Sequence, residues 1–228
     1  CCYLYMGYQS YSSGLFAAET FTLLMAKFAP FLLVAYVTSI LAADILHAKQ
    51  RITVLSKTDE LTGLLNMRAF NTILEREITR VTRYAQPFTI IMVDVDGLKS
   101  VNDHYGHTTG SHLIRSIAGA IDETIRNSDV LARYGGDEFV ILMTHTRTEQ
   151  AQIAAERIRS AIHHTSLEVN GNHISTTISV GIASFPESVN DAADVLDKAD
   201  IALYKSKHGG RDRGTYYDRE LEALPVYA

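Results

Sequence analysis

The sequence predicts an α/β sandwich built around a central, largely antiparallel sheet. Three observations carry that expectation. Beyond residue 58, helical and strand-forming stretches alternate along the chain, as they do where helices pack on a sheet. The run Phe88-Thr89-Ile90-Ile91-Met92-Val93-Asp94-Val95 is almost uninterruptedly apolar, the mark of a strand buried on both faces. Finally, Val130-Leu131-Ala132-Arg133-Tyr134 and Phe139-Val140-Ile141-Leu142 flank the pair Gly135-Gly136. That pattern reads as a β-hairpin whose tight turn draws on the backbone freedom of glycine.

The N-terminal portion is a different kind of sequence. Residues 1–26 contain no Lys or Arg, and residues 28–43 carry no charge. Phe28 to Ala43 is a mostly apolar helix former of sixteen residues, short of the roughly 20 that span a bilayer. Extension back through Phe21 to Ala26 supplies the length if Lys27 snorkels or faces other helices. His47, Lys49, Arg51 and Lys57 follow Asp44, so the positive-inside bias places the rest of the chain in the cytoplasm. A secretory signal peptide fits less well, because initiator Met and basic leading region are both missing. The chain reads as the tail of a longer protein with further membrane helices upstream. The alternative is a buried helix of a soluble sensor domain.

The expected organisation is a transmembrane region over 1–44 in the inner (cytoplasmic) membrane, a helical linker over 45–57, a folded domain over 58–219 and a tail over 220–228. The linker sets Ile45, Leu46, Ile52 and Leu55 among polar residues, which suits a short amphipathic stalk of coiled-coil type. In the folded domain, helices are predicted over Asn66–Tyr84, Ser111–Arg126, Thr148–His164 and Asp191–Lys207. Strands are predicted over Phe88–Val95, in the hairpin, and near His173–Phe185. About 160 residues suffice for a proper core. The net charge of -5, with no basic run, argues against a nucleic-acid partner. Cys1 and Cys2, the only cysteines, are adjacent and far from any partner, which indicates neither a disulfide framework nor a zinc site.

The chemistry lies in the acids. Asp137 and Glu138 directly follow the glycine pair; alone, such a turn is usually a surface hairpin with solvated carboxylates. A second acidic group, Asp94 with Asp96, stands where the buried strand ends, a rigid mount that the hairpin can bring beside Asp137 and Glu138. Clustered carboxylates repel one another unless a cation sits between them, and hard oxygen ligands suit Mg²⁺ or Mn²⁺, with Mg²⁺ favouring substrate phosphates.

These motifs come in a telling order: Asp59-Glu60-Leu61-Thr62-Gly63-Leu64, Asp94-Val95-Asp96-Gly97-Leu98-Lys99, Asn102-Asp103-His104-Tyr105-Gly106-His107, the Gly-Gly-Asp-Glu-Phe hairpin, Ser179-Val180-Gly181-Ile182-Ala183, and Ala202-Leu203-Tyr204-Lys205-Ser206-Lys207 with Gly210-Arg211. Over residues 58 to 215 the chain resembles the GGDEF-family diguanylate cyclases. The resemblance implies a nucleotidyl-cyclase or polymerase-palm βαββαβ core. It also implies a homodimer in which two GTP molecules face each other, each 3′-hydroxyl attacking the other's α-phosphate to give cyclic di-GMP and pyrophosphate. By the same resemblance Asp94, Asp137 and Glu138, with the Val95 carbonyl, hold Mg²⁺ or Mn²⁺, and Asp96 is an alternative ligand. Asp137 and Glu138 are catalytic, with Asp137 helping to deprotonate the hydroxyl.

Substrate contacts are implied for Asn102, Ser111, Lys99, Lys207 and Arg211, for the amides around Gly97 and Leu98, and for Gly135 and Gly136, where glycine lets a phosphate approach the backbone. Read without the resemblance, Lys207 and Arg211 are simply cations favoured at a helix C-terminus. Arg133 can as simply balance charge beside the acids. His104 and His112 read as surface residues, and His107 as the close of a Gly-His turn.

Ser111 departs from the family, which usually places Asp there to accept from the guanine edge. A hydroxyl both donates and accepts, so it tolerates adenine as well. The resemblance therefore leaves two products open: cyclic di-GMP alone, or cyclic GMP–AMP as well, with ATP as co-substrate, as in the hybrid promiscuous subgroup. A non-catalytic nucleotide-binding receptor is the rival reading. Arg126-Asn127-Ser128-Asp129 has the Arg-x-x-Asp form of the family's product-inhibition site, with Arg157 as the expected third contact for cyclic di-GMP.

Overall fold

In a computed structural model of the chain, the structure describes Met6 and residues 18–84, 86–169 and 171–218. The chain divides into two units, residues 1–56 and 57–228.

The first unit is dominated by one continuous helix, α1 (Ala18–Leu55), which runs through Pro30. The separate linker helix expected from residue 45 is thus the continuation of the apolar one. Every residue from Ala26 to Asp44 is exposed, including Phe31, Leu32 and Tyr36. Among the described residues this 19-residue segment is the one long and apolar enough to cross a membrane, by length and composition. Its Thr38 hydroxyl donates to the Val34 and Ala35 carbonyls within the helix, which suits an apolar surrounding. The stalk side chains Ile45, Leu46, Ile52 and Leu55, together with Cys1, Cys2 and the tail over 220–228, lie outside the described residues.

The second unit runs β1 (Leu65–Asn66), α2 (Met67–Tyr84), β2 (Phe88–Val95), α3 (Leu98–Tyr105), α4 (His107–Thr124), β3 (Val130–Arg133), β4 (Glu138–Thr144), α5 (Thr148–His163), β5 (Ser166–Val169), β6 (Asn172–Ser175), β7 (Ile178–Phe185), a 3₁₀ turn (Ala192–Asp194), α6 (Val195–His208) and β8 (Gly214–Tyr216). Six strands form one sheet in the order β1-β3-β4-β2-β7-β8, and β5-β6 is a separate hairpin. The four central strands, β3, β4, β2 and β7, are antiparallel, while β1 on β3 and β8 on β7 are parallel edge additions.

The apolar continuity of β2 has the expected cause. Ile91, Val93 and Val95 face a core shared with Leu113, Ile117 and Ile158 of α4 and α5. Phe88, Ile90 and Met92 face the opposite core, with Phe70 of α2 and Leu203 of α6. Each fully buried aliphatic side chain contributes about 1.5–3 kcal/mol, so β2 is clamped from both sides and its C-terminal end is held rigidly.

Two expectations need correction. The helix predicted from Ser111 begins at His107 and is preceded by α3. Gly106, at φ 84, ends one helix and starts the next. The helix predicted from Asp191 starts as a 3₁₀ turn capped by the Asp191 carboxylate on Ala193 N–H.

Candidate active site

The register of the sheet builds the acidic site. In the antiparallel ladders Asp94 stands opposite Glu138 on one side and Ser179 on the other. Asp94 is 9% exposed. Lys207 Nζ, from the last turn of α6, lies 2.7 Å from Asp94 Oδ2 and 3.5 Å from Glu138 Oε1. Burial pushes the Asp94 carboxyl up to about 6 against the pull of Lys207, and the nearby Asp137 and Glu138 charges add to the rise. Burial acts to lower the Lys207 ammonium, but its bonds to Asp94 and Glu138 outweigh this and leave it above the ordinary lysine value.

Glu138 owes its place to the hairpin. The Glu138 carbonyl accepts from Tyr134 N–H (2.8 Å) and Gly135 N–H (3.1 Å), closing the turn. Neither Gly135 nor Gly136 adopts a left-handed φ, so the expected need for glycine backbone freedom is not what the turn uses. A Cβ at Gly135 would instead stand 2.8 Å from Glu138 Oε2, so a side chain there would displace the Glu138 carboxylate. Asp137 is half-buried and accepts Val95 N–H through its carbonyl at 3.0 Å, so the hairpin is stitched to the end of β2.

Beside these acids opens a cavity of about 450 Å³ lined by Leu98, Lys99, Asn102, Ser111, Gly136 and Asp137, together with Leu61, Asp103, His107, Gly110, Ile114 and Arg133. Asn102 on α3 and Ser111 on α4 thus share one wall. Gly110 makes that possible, because a Cβ on it would fall 2.0 Å from Asn102 Oδ1. Gly97, at φ 71, is the N-cap of α3 and supplies no side-chain cap, and the first two residues of that helix, Leu98 and Lys99, line the cavity.

Not every expected ligand converges. Among the described residues no three carboxylate, His or Cys groups reach metal-ligand spacing: Asp94 and Glu138 meet across Lys207, while Asp137 lines the cavity. The donor set nevertheless fits a hard divalent cation, since two carboxylates already hold a positive charge between them and burial penalises the ionised Asp94. Asp96 is otherwise engaged. Its carboxylate, 8% exposed, accepts from Ser179 Oγ (2.8 Å), Thr177 Oγ1 (2.7 Å) and Asp212 N–H (3.1 Å), which makes it a brace of the strand ends. Arg211 Nε stands 3.9 Å from Asp96 Oδ1.

Several lining residues carry roles that the residue pattern alone left unread. Arg133 donates to both Asp59 oxygens (3.0 and 3.1 Å) and to the Gly136 carbonyl (2.6 Å). It ties the glycine turn to the segment before β1 rather than merely balancing charge. Burial raises the Asp59 carboxyl, but bonds from Thr62 and Arg133 prevail and hold it below the ordinary value. His107 lines the cavity, whereas His104 and His112 are exposed. The signal for Gly110 was present in the Gly-His-x-x-Gly spacing; Arg133 and Asp59 are far apart in sequence and gave none.

Away from the cavity, Asp129 Oδ2 accepts Arg126 N–H (3.0 Å), and Arg157 Nη2 donates to the Thr124 carbonyl at 2.7 Å. The three expected inhibitory residues therefore surround one turn, and Asp129 Oδ1 is buried without a partner among the described residues.

A family model described as diguanylate cyclase, GGDEF domain, matches residues 56–213. The chain belongs to this family. The GGDEF domain here is 40% identical over 156 residues to the diguanylate cyclase DosC of Escherichia coli K12, an alignment covering 68% of this chain and 34% of that one. It is 34% identical over 170 residues to diguanylate cyclase A of Treponema denticola, covering 73% and 46%. The chain thus spans about a third to a half of the length of these curated relatives. Among solved structures, the GGDEF domain of DgcB from Caulobacter crescentus in complex with c-di-GMP matches with a TM-score of 0.67 at 31% identity, covering 71% of this chain and 95% of that one.

Proposed function

We propose that the chain condenses two GTP into cyclic di-GMP and pyrophosphate as a homodimer, with its cyclase domain on the cytoplasmic side of the inner membrane. The observation that carries this reading is the Asp94–Lys207–Glu138 cluster beside a nucleotide-sized cavity. The relatives named diguanylate cyclase support it.

In this reading Asn102 and Ser111 address the base. Lys99, the amides at Gly97 and Leu98, and Lys207 and Arg211 hold the triphosphate, while Gly135 and Gly136 admit it to the backbone. Asp137 accepts the proton of the 3′-hydroxyl as its oxygen bonds to the facing α-phosphorus and the pyrophosphate oxygen departs. Asp94, Asp137, Glu138 and the Val95 carbonyl would hold Mg²⁺ or Mn²⁺, which would supply the charge that acidifies the hydroxyl and offsets the triphosphate. Lys207 exchanges carboxylates for phosphate when nucleotide arrives. Ring closure needs two such sites, hence the dimer. Product returns to Arg126, Asp129 and Arg157, where the buried, unpartnered Asp129 Oδ1 suits a guanine N–H donor and the two guanidinium groups suit phosphate.

A second reading is favoured by Ser111 sharing a wall with Asn102: its hydroxyl pairs with adenine as well as guanine, giving cyclic GMP–AMP. Mass spectrometry decides. The detergent-solubilised chain, supplied with Mg²⁺, is offered GTP, ATP and an equal mixture. Cyclic di-GMP alone makes Ser111 a tolerated substitution; a mixed product makes it a specificity residue; nucleotide binding without any product supports the receptor reading.

A further inference from the structure

One charged network outside the cavity ends a single residue from Arg211. α5 presents Glu156, Arg159 and His163 three and four residues apart, on one face. Arg159 Nη1 and His163 Nε2 each lie 2.8 Å from Asp212 Oδ1. Glu156 aims the guanidinium, its Oε2 accepting from Arg159 Nε (3.1 Å) and Nη2 (2.9 Å). On its other side Asp212 donates its N–H to the buried Asp96 carboxylate, which the Thr177 and Ser179 hydroxyls hold in turn. Asp212 is therefore gripped by its side chain from α5 and by its backbone from the end of β2.

The local backbone gives that grip a purpose. Gly210, Arg211 and Asp212 have φ of 114°, 61° and 45°, three consecutive residues in the left-handed half, two of them not glycine. Such conformations persist only where the surroundings over-determine them. This one turns Arg211 so that its Nε is 3.9 Å from Asp96 Oδ1 while its side chain stays 64% exposed. Its N–H bonds back to the Ser206 carbonyl at 3.1 Å, next to Lys207.

We propose that Asp212 is a positioning residue: Arg159 and His163 hold its carboxylate so that the left-handed turn presents the Arg211 guanidinium to the triphosphate beside Lys207. The proposal rests on the reading of Arg211 as a phosphate contact. Asp212 itself touches no substrate. Its action is to remove the freedom of Arg211 before nucleotide binds, which lowers the ordering cost of each hydrogen bond formed.

The test uses the full chain in detergent and two readouts: affinity for 3′-deoxy-GTP, which lacks the attacking hydroxyl, and KM and kcat for GTP. Variants are Arg211→Ala, Asp212→Ala, Asp212→Asn, Arg159→Ala and the double variant Arg211→Ala/Asp212→Ala. Arg211→Ala and Asp212→Ala should each weaken 3′-deoxy-GTP binding and raise KM about tenfold, with kcat changed less than about twofold. The double variant should be no worse than Arg211→Ala alone, since one effect runs through the other. Asp212→Asn tolerates a left-handed φ and keeps an acceptor for Arg159, so it should recover most of the affinity; Arg159→Ala should lose it with Asp212 intact.

These last two variants keep the test informative if Asp212→Ala melts. The proposal is overturned if Arg211→Ala weakens binding while Asp212→Ala does not, or if the two losses multiply in the double variant. Unchanged affinity in Arg211→Ala removes the phosphate reading itself and the proposal with it.

Discussion

Asp94 concentrates the site's electrostatics in one residue. Its folded-state value, pushed up to about 6 by burial, lies above the ordinary carboxylate value of 3.8. The metal-free fold therefore binds a proton that the unfolded chain has released. Stability falls as pH rises between those two values and stays lower at every higher pH, by an amount on the order of 2–3 kcal/mol. Asp94→Asn removes that cost. The expected outcome is that the metal-free variant melts a few degrees above wild type at pH 7.5, with the gap closing toward pH 4.5. Mn²⁺ should raise the wild-type midpoint and leave that of the variant unmoved. A gap that is constant with pH would place the burial penalty elsewhere.

The glycines around the site separate space from conformation. At Gly135 an added methyl meets only the flexible end of Glu138, 2.8 Å away. Gly135→Ala should thus cost under about 1 kcal/mol of stability, yet lower kcat at least tenfold by swinging the carboxylate. Thermal melts and initial rates on one preparation check both halves. The acids of this site were legible because they stand at the end of an apolar run and beside a glycine pair. The Asp59–Arg133 tie was not, since 74 positions separate its partners and each alone looks like an ordinary surface charge.

At the scale of elements, α6 must lie close on β7 for Lys207 to reach Asp94. Gly181 in β7 sets that distance: a Cβ there would stand 2.2 Å from both Ala199 O and Leu203 N. Both are backbone atoms, so no rotamer change relieves the clash. Gly181→Ala should destabilise the domain by about 3 kcal/mol or more and also weaken nucleotide binding, because Lys207 retreats with its helix; urea unfolding followed by far-UV circular dichroism reads the first effect. Elements with a strong buried pattern were legible in the sequence: β2 matches its predicted limits, and α2, α5 and the hairpin agree within a residue or two. The misses share a cause. α3 has no buried residue, so no apolar stripe announces it. β1 and β8 are two and three residues long and are paired in parallel with distant strands, which leaves them without a local pattern.

In the whole molecule, ring closure between two half-sites and an exposed apolar helix both depend on how two chains meet. A chain whose Phe31, Leu32, Leu33 and Val34 are each more than 60% exposed should reside in vesicles, where lateral confinement raises the local concentration of its partner. If each ring closure needs two competent sites, a chain disabled at one carboxylate poisons every dimer it joins. Co-reconstituting wild type with an equal amount of Asp137→Asn should then leave about a quarter of the activity of the same total amount of wild-type chain, because only wild-type pairs close the ring, whereas independent monomers would leave about half. Subunit exchange must be complete for the numbers to apply, so the two chains are mixed in detergent before vesicles are formed. The outcome near one quarter assigns catalysis to the symmetric pair. An outcome near one half would mean that one chain closes the ring alone, and Asp137 would then need a second nucleotide bound within the same domain.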